Sequence, residues 1–343
     1  MKKVRQKLRK ISSKSNKSPK FKRFIKKEQI KREIQVKTLK QEVATRFTFT
    51  KIMFDSFLPS KQDEDIDPEQ AKANIEAINA ALKSCLAAKK FKLLEVTKKD
   101  MDIVMNILPT LKILEEGITK IGGEKYSTGS LVLPFLTKFL VFLDGDEEDQ
   151  VYVRMFKKDL QREMITRCKD NLNIEVLALA SFCDMRYSHL KFLEILRRFK
   201  VTFLTKEDIV EQFKREMEMT HKDDEVEDTS EPKKKKMKWS FFDDDDDVED
   251  DRNRSFSSKS VNNQVENYLK ELPIKARECT GSWWQLNKSK YPDIARLARK
   301  YLSVQGTSTP AERVMSDMGL ILNKKRLAMT EENFRMVMYL GDI

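Results

Sequence analysis

Glycine and proline are scarce in this chain, and their scarcity limits it to folds with few tight turns. The 343 residues contain only 9 Gly and 9 Pro, against 15 Met and 20 Phe. A β-sandwich or β-barrel needs turn residues between many short strands, whereas long helices need far fewer. Apolar residues make up 40% of the chain, which is enough for a sizeable core and excludes a wholly disordered protein. The sequence therefore predicts a mainly α fold.

Apolar positions three or four residues apart place the helices of the first half. They recur over 75–86 and over 101–121, the spacing of one buried helix face. The segments 97–100 and 205–208 each carry Thr followed three residues later by Asp, a pattern typical of a capped helix start. We predict a helical array over 38–220.

Further helices are predicted near the C-terminus, the last of them starting at Thr330. Residues 261–272 have helical spacing, and Pro292 opens a second apolar stripe. Thr309, Pro310 and Glu312 fit a third start, with a hydroxyl cap, proline at the first position and a carboxylate reaching back. We assign 255–343 to a separate helical region.

The positive charge is concentrated at the N-terminus. Residues 1–40 contain 17 Lys and Arg and 2 Glu, whereas the whole chain has a net charge of only +12. We interpret 1–37 as a basic arm. Its cations, together with those up to residue 40, would bind DNA through residues 2–40, because neutralising the phosphates releases their counterions. A solvated helix face without a partner explains the same charges.

A charged segment separates the two halves. Residues 221–251 contain 14 acidic residues and 6 Lys, so like charges repel and little apolar surface is available. We predict a disordered linker over 221–254. Within it lies a basic cluster that resembles a nuclear import signal and predicts a nuclear location. Its residues are Pro232, Lys233, Lys234, Lys235, Lys236 and Lys238.

Several classes of site are excluded by residue type. The four cysteines (Cys85, Cys168, Cys183 and Cys279) are scattered, and His189 and His221 are the only histidines. This set cannot supply the paired soft ligands of a zinc finger, and it offers no disulfide framework. No apolar run reaches the roughly 20 residues that cross a bilayer. The sequence predicts no metal site, no cofactor and no membrane partner.

The C-terminal block resembles the hAT transposase dimerisation region. The resemblance rests on the Trp283–Trp284 pair, Tyr291–Pro292, LARKYLSV, TSTPAERVMS and a late KKR. Ala311 stands where the family usually has serine. Upstream, LKQEVATRF, GEKYSTGSLVLPFL and LASFCDMRYSHLKFL are similar, more weakly, to hAT proteins that carry BED zinc fingers.

The resemblance implies an RNase H-like domain with a helical insertion, in which three acids hold divalent metal. Glu266 matches the third acid, although an ordinary exposed helical glutamate fits the same position. The first two acids and the BED finger have no counterpart here. Because two-metal cleavage needs several converging carboxylates, we interpret the chain as a non-catalytic, transposase-derived protein and not as an enzyme.

The resemblance also implies self-association through the C-terminal region, as a homodimer or as a heterodimer with related hAT proteins. Two alternatives stay open: nonspecific DNA binding by the basic arm, and residual transposase activity with acids supplied by another chain. Aromatic and Met side chains are enriched at interfaces, although they also fill cores. The predicted dimerisation residues are Trp283, Trp284, Tyr291, Pro292, Leu297, Ala298, Tyr301, Leu302, Pro310, Glu312, Arg313, Val314, Met315 and Ser316.

Overall fold

The computed structural model describes residues 1–42, 48–58, 68–145, 147–226, 258–309, 312, 313 and 332. All regular structure in these ranges is helical, which confirms the predicted mainly α fold. The helices are α1 (Lys2–Lys17), α2 (Pro19–Lys31), α3 (Thr48–Phe57), α4 (Pro68–Cys85), α5 (Ala88–Leu94), α6 (Lys98–Ile121), α7 (Gly129–Leu143), α8 (Val151–Asn171), α9 (Ile174–Phe182), α10 (Phe192–Arg198), α11 (Lys206–Val226), α12 (Ser258–Lys270), α13 (Thr280–Asn287) and α14 (Pro292–Leu302).

The chain divides into two compact units. Unit 1 comprises Met1–Thr119 and Phe139–Met164, and unit 2 comprises Lys120–Lys138 and Ile165–Ile343. The segment predicted as a basic arm is therefore part of a larger unit.

In unit 1 the N-terminal segment is folded, which differs from the prediction of an arm. Val4, Leu8 and Ile11 of α1 are buried in the same core cluster as Phe21 and Ile25 of α2. Their spacing of three or four residues gives each basic helix one apolar stripe, and burying that stripe favours packing over an extended chain. The many lysines between these positions hide the stripe in the sequence.

Helix starts in unit 1 follow the predicted chemistry. The Ser18 hydroxyl accepts a hydrogen bond from the Phe21 amide at 3.2 Å, and Pro19 occupies the first turn of α2. At the start of α6, the Thr97 amide donates to the Asp100 carboxylate at 2.9 Å, and the Asp100 amide donates to the Thr97 hydroxyl at 3.2 Å. This confirms the predicted capping box.

Unit 2 is built around α9, whose side chains from Leu177 to Phe182 are all buried. Helices α11 and α14 pack against α9, and α12 packs against α11 and α14. The capping box predicted for 205–208 is confirmed, since the Thr205 amide donates to Asp208 at 2.7 Å. Helix α11 continues to Val226, so its backbone is helical over the first residues of the segment 221–254 that we predicted to be disordered. The rest of that segment, with the import signal at 232–238, lies outside the described residues.

Candidate functional site

Tyr268 of α12 lies at the centre of an aromatic cluster in unit 2. Its ring centroid is 5.3 Å from that of Phe182, 5.7 Å from that of Trp284 and 5.8 Å from that of Tyr291. The Tyr268 hydroxyl donates to the carbonyl oxygen of Phe182 at 2.8 Å. Burial raises the pKa of Tyr268 well above its ordinary value, so this residue acts as a neutral donor. The cluster joins α9, α12, α13 and the start of α14.

The Trp283–Trp284 pair belongs to this cluster. The two rings are nearly perpendicular, with centroids 4.8 Å apart. The indole nitrogen of Trp284 donates to the Cys183 carbonyl oxygen at 2.8 Å, and the side chain is 8% exposed. Trp283 is half-buried and stacks on Tyr291, at 6.3 Å between centroids. The aromatic pair that suggested an interface thus packs within its own chain.

A buried charge pair fixes the turn after α9. Both carboxylate oxygens of Asp184 are bonded by the Arg186 guanidinium, at 2.9 Å and 2.6 Å, and the Ser130 hydroxyl donates to one of them at 2.7 Å. Burial lowers the pKa of Arg186, but the bonds to Asp184 outweigh it and the pKa is raised. The Met185 amide then donates to the Thr280 hydroxyl at 3.2 Å, which holds the turn against the start of α13.

Two tyrosine hydroxyls anchor α14. Tyr291 donates to Glu271 at 2.7 Å, and Tyr301 bonds Glu216 of α11, which also accepts from Lys300 at 3.1 Å. Burial first, and the neighbouring carboxylate second, raise the pKa of both tyrosines. Each hydroxyl therefore stays protonated and serves as a hydrogen-bond donor.

The segment after α14 is held by the start of α7. The Gly129 amide donates to the Val304 carbonyl at 3.0 Å, and the Gly306 amide donates to the Thr128 hydroxyl at 2.9 Å. The Ser308 hydroxyl donates to the Glu312 carboxylate at 2.9 Å, whereas Pro310 and Ala311 of the predicted helix start lie outside the described residues.

The predicted dimerisation residues fall into three groups. Trp284, Tyr291, Leu297, Ala298 and Tyr301 are buried within the chain, and Trp283 and Leu302 are half-buried. Pro292, Glu312 and Arg313 are exposed, and Arg313 forms an ion pair with Glu124. Pro310, Val314, Met315 and Ser316 lie outside the described residues.

The sequence analysis missed the apolar side chains that stay exposed nearby. Leu272 is 84% exposed and Leu286 is 85% exposed, although both flank the aromatic cluster in sequence. Leu286 lies two residues after the inward-facing Trp284, and a helix turns through about 200° over two residues. Leu286 therefore points away from the core. The sequence analysis also missed Tyr268. Val265 and Tyr268 are three residues apart on α12 and are both buried, so their helical spacing is the signal that could have indicated it.

Glu266 is exposed on α12. Among the residues that the structure describes, no three His, Cys, Asp or Glu side chains come together in a way that could hold a metal ion. None of the helices in the described ranges is both long enough and apolar enough to cross a membrane.

Most cations of residues 1–40 fall into two groups. Those near the core are paired: Arg5 with Glu42 at 2.7 Å, and Lys7 with Asp100 at 2.6 Å. The other group lies on the outer faces of α1 and α2, with Lys40 in the segment after α2, and every member is exposed. It consists of Lys2, Lys3, Arg9, Lys10, Lys17, Lys20, Lys22, Arg23, Lys26, Lys27, Lys31 and Lys40.

Comparison with known proteins identifies the C-terminal part. Residues 264–342 match the family model of the hAT family C-terminal dimerisation region, which supports an hAT origin for this part of the chain and a role in self-association. No curated protein matches the chain. The matched range contains the aromatic cluster residues of α12, α13 and α14, together with the exposed Leu272 and Leu286.

Proposed function

We propose that this protein acts by self-association through residues 264–342, as a homodimer or with a related hAT chain. The observation that carries this proposal is the match of that range to the hAT dimerisation region. The intramolecular packing refines it. Trp284, Tyr291 and Tyr301 are already buried within the chain. In this proposal they therefore support the dimer contact surface from inside and do not themselves contact the second chain.

The contact surface in this proposal includes Leu272 and Leu286. Leaving two leucines 84% and 85% exposed costs free energy that a second copy can recover by covering them. Both lie within the matched range. Association through Leu286 would use the face of α13 opposite to Trp284.

The experiment is light scattering on the full chain after size-exclusion chromatography, at tens of micromolar. We expect a mass of twice 40.3 kDa. Leu286→Glu should weaken the dimer about tenfold or more, because it would place a charge in an apolar contact. The matched control is Leu93→Glu, which changes a leucine 71% exposed in unit 1, outside the matched range. A monomeric wild-type chain would refute self-association, whereas equal effects of both variants would refute the role of Leu286.

The proposal includes no catalytic step. It is supported by the sequence, in which Glu266 matches the third acid of the hAT site and the first two acids have no counterpart, whereas two-metal chemistry requires several converging carboxylates. Incubation with plasmid DNA and Mg²⁺ or Mn²⁺ tests it, alone and with a related hAT chain. Cleavage by the wild-type chain that is lost in Glu266→Ala would establish the alternative, a transposase completed by acids from another chain.

A nuclear location is proposed on the sequence of residues 232–238 alone. A fluorescent fusion of the full chain should accumulate in nuclei. Replacing Lys233, Lys234, Lys235 and Lys236 by alanine should distribute it through the cell. Unchanged accumulation would show that another segment directs import.

The second candidate function is nonspecific binding of nucleic acid by unit 1. The observation that favours it is the row of exposed cations on α1 and α2, which stays solvated while Arg5 and Lys7 are paired. Deleting residues 1–40 is an unsuitable test, because Val4, Leu8 and Ile11 would leave the core. Fluorescence anisotropy with a labelled DNA duplex should instead show affinity falling steeply between about 50 and 200 mM salt. No binding at the lower salt concentration would refute this function.

A further inference from the structure

A cleft of about 220 Å³ opens in unit 1 between α2 and residues 36–39. Its rim carries Lys22, Arg23 and Lys26 of α2 and Lys37 of the facing segment. Among the residues that the structure describes, no acidic side chain lines it. We propose that this cleft binds the sugar–phosphate backbone of a nucleic acid, and the proposal rests on the second function proposed above.

The three cations that α2 contributes to the rim are available to a ligand. Lys22, Arg23 and Lys26 are exposed, and they form no ion pair with any residue in the described part of the chain. They differ in this from Arg5 and Lys7 of α1, whose charges are taken up by Glu42 and Asp100. On α2, positions 22 and 26 are one helical turn apart, and position 23 adjoins them, so the three charges lie on one side of the helix.

Lys37 adds a fourth charge in a less hydrated position. It is half-buried, and burial lowers its pKa, although the carboxylate of Asp55 opposes this effect. A phosphate in the cleft would stabilise the charged form of Lys37, because an opposite charge close by favours ionisation. The geometry therefore brings cations from two separate segments to one opening, where they can form charge-assisted hydrogen bonds to a phosphate group.

The lining also has an apolar part, here called the apolar wall, beside the polar Ser15, Gln29 and Thr38. This wall favours a sugar–phosphate chain over a plain polyanion. Its residues are the exposed Pro19 and Val36 and the buried Ile25 and Leu39, which are 3% and 1% exposed. A deoxyribose or ribose ring presents carbon atoms between its phosphates, so it can cover this wall while its phosphates meet the rim. Inorganic polyphosphate has no such carbon surface. The nucleic-acid backbone and inorganic polyphosphate both offer phosphates to the rim, but only the nucleic-acid backbone can also cover the apolar wall.

The first experiment compares two triple variants of the full chain that remove equal charge. Lys22→Gln, Arg23→Gln and Lys26→Gln change the rim, while Lys3→Gln, Arg9→Gln and Lys10→Gln change exposed cations of α1. Anisotropy of a labelled duplex is measured for both at several salt concentrations. The rim variant should bind at least about fivefold more weakly than the α1 variant, with a salt slope lower by about two to three, because each lost phosphate contact reduces the slope by about 0.9.

The second experiment leaves every cation in place. Val36→Glu introduces a carboxylate at the apolar wall, where Val36 is 43% exposed. Val141→Glu is its control, at a valine 47% exposed in α7, outside the cleft. Both substitutions change the net charge by one. We expect Val36→Glu to weaken duplex binding about five- to tenfold, because a like charge close to each phosphate repels it, and Val141→Glu to leave binding within about twofold.

The outcomes separate the cleft from the function on which it rests. If the wild-type chain does not bind the duplex, nucleic-acid binding by unit 1 is refuted, and the cleft with it. If binding occurs but both triple variants lose it equally, or both valine variants do, the function stands and the cleft is refuted. Inorganic polyphosphate is also tested as competitor at equal phosphate concentration. Weaker competition than by unlabelled DNA supports the sugar–phosphate assignment, and equal competition overturns it.

Discussion

The indole nitrogen of Trp284 donates a hydrogen bond to the carbonyl oxygen of Cys183, 101 residues earlier in the chain, at 2.8 Å. This bond ties α13 to the end of α9 in the interior of unit 2. The carbonyl has few alternatives, because Cys183 is itself fully buried. The bond therefore satisfies a backbone acceptor that would otherwise be left unpaired in an apolar environment.

We predict from this bond that Trp284→Phe lowers the free energy of unfolding by about 1–3 kcal/mol, since it removes the donor and keeps an aromatic ring. Urea unfolding followed by circular dichroism measures the change. Trp283→Phe is the matched control, because its ring is half-buried and the Cys183 carbonyl keeps its donor. Equal losses in the two variants would show that ring volume, and not the hydrogen bond, determines the effect.

Two glycines of the matched region should respond to alanine with opposite signs. A methyl group at Gly306 would come within 2.6 Å of an Ile121 side-chain carbon and 2.9 Å of the Thr128 carbonyl oxygen. One of these groups must move, so Gly306→Ala should lower the free energy of unfolding by about 1–3 kcal/mol. A methyl group at Gly281 meets only the Cys279 sulfur, at 3.6 Å.

Gly281→Ala should accordingly raise the free energy of unfolding by about 0.5–1 kcal/mol, because alanine restricts the unfolded chain and favours the first turn of α13. Thermal and urea unfolding of both variants give the two values under identical conditions. An unaffected Gly306→Ala chain would contradict the close approach at Gly306, and a destabilised Gly281→Ala chain would contradict the open space at Gly281.

The sequence predicted the helices well because their signals are local. Apolar spacing and the caps at Thr97 and Thr205 depend on residues within a few positions of one another. The folding of residues 1–31 was missed for a physical reason. Two or three buried apolar side chains per helix suffice to bury one face of α1 and α2, yet a count of their charges suggests a solvated basic arm.

The site was predicted less well, because the same residue types serve a core and an interface. Trp284, Tyr291 and Tyr301 could serve either purpose. Trp284 and Tyr301 bond Cys183 and Glu216, which are 101 and 85 residues away in sequence, and only the Tyr291–Glu271 pair is as close as 20 residues. Leu286 could be recognised only once the inward direction of α13 was known, and Leu272 lies between α12 and α13, where no helical spacing indicates its exposure. Pairing over such distances leaves no mark in a single sequence.

Asp100 should make the stability of unit 1 depend on acid pH. Burial would raise its pKa, but the bonds from Lys7 and Thr97 outweigh it and hold the pKa below the ordinary value. A carboxyl group with a lowered pKa in the folded state contributes stability above the ordinary pKa of about 3.9, and loses it as pH falls through the folded value. Asp100→Asn should therefore be less stable than the wild-type chain at pH 7, by about 2 kcal/mol.

The difference between Asp100→Asn and wild type should shrink as the pH falls below about 4, where Asp100 becomes protonated first in the unfolded chain and then, at its lowered pKa, in the native chain. Urea unfolding at neutral and acid pH gives the difference directly and cancels the titration of other groups. Asp102→Asn on the same helix is the control, since its carboxylate forms no ion pair with the residues that the structure describes. A difference that persists unchanged in acid would show that packing at Asp100, and not its charge, is responsible.

Cys279 should be the most reactive thiol of the native protein. It is exposed at the start of α13, and the backbone amide of Ser282, helped by that of Gly281, lowers its pKa against a smaller effect of burial. Burial raises the pKa of Cys168 and of the fully buried Cys183. Because the thiolate is the nucleophile, iodoacetamide should modify Cys279 first, and the rate of its modification should rise at a lower pH than that of Cys168.

Mass spectrometry of digests after timed labelling gives the order in which the cysteines react. Cys279→Ser should remove the fast phase alone. If Cys168 reacts as fast as Cys279, the amides at the start of α13 do not stabilise the thiolate.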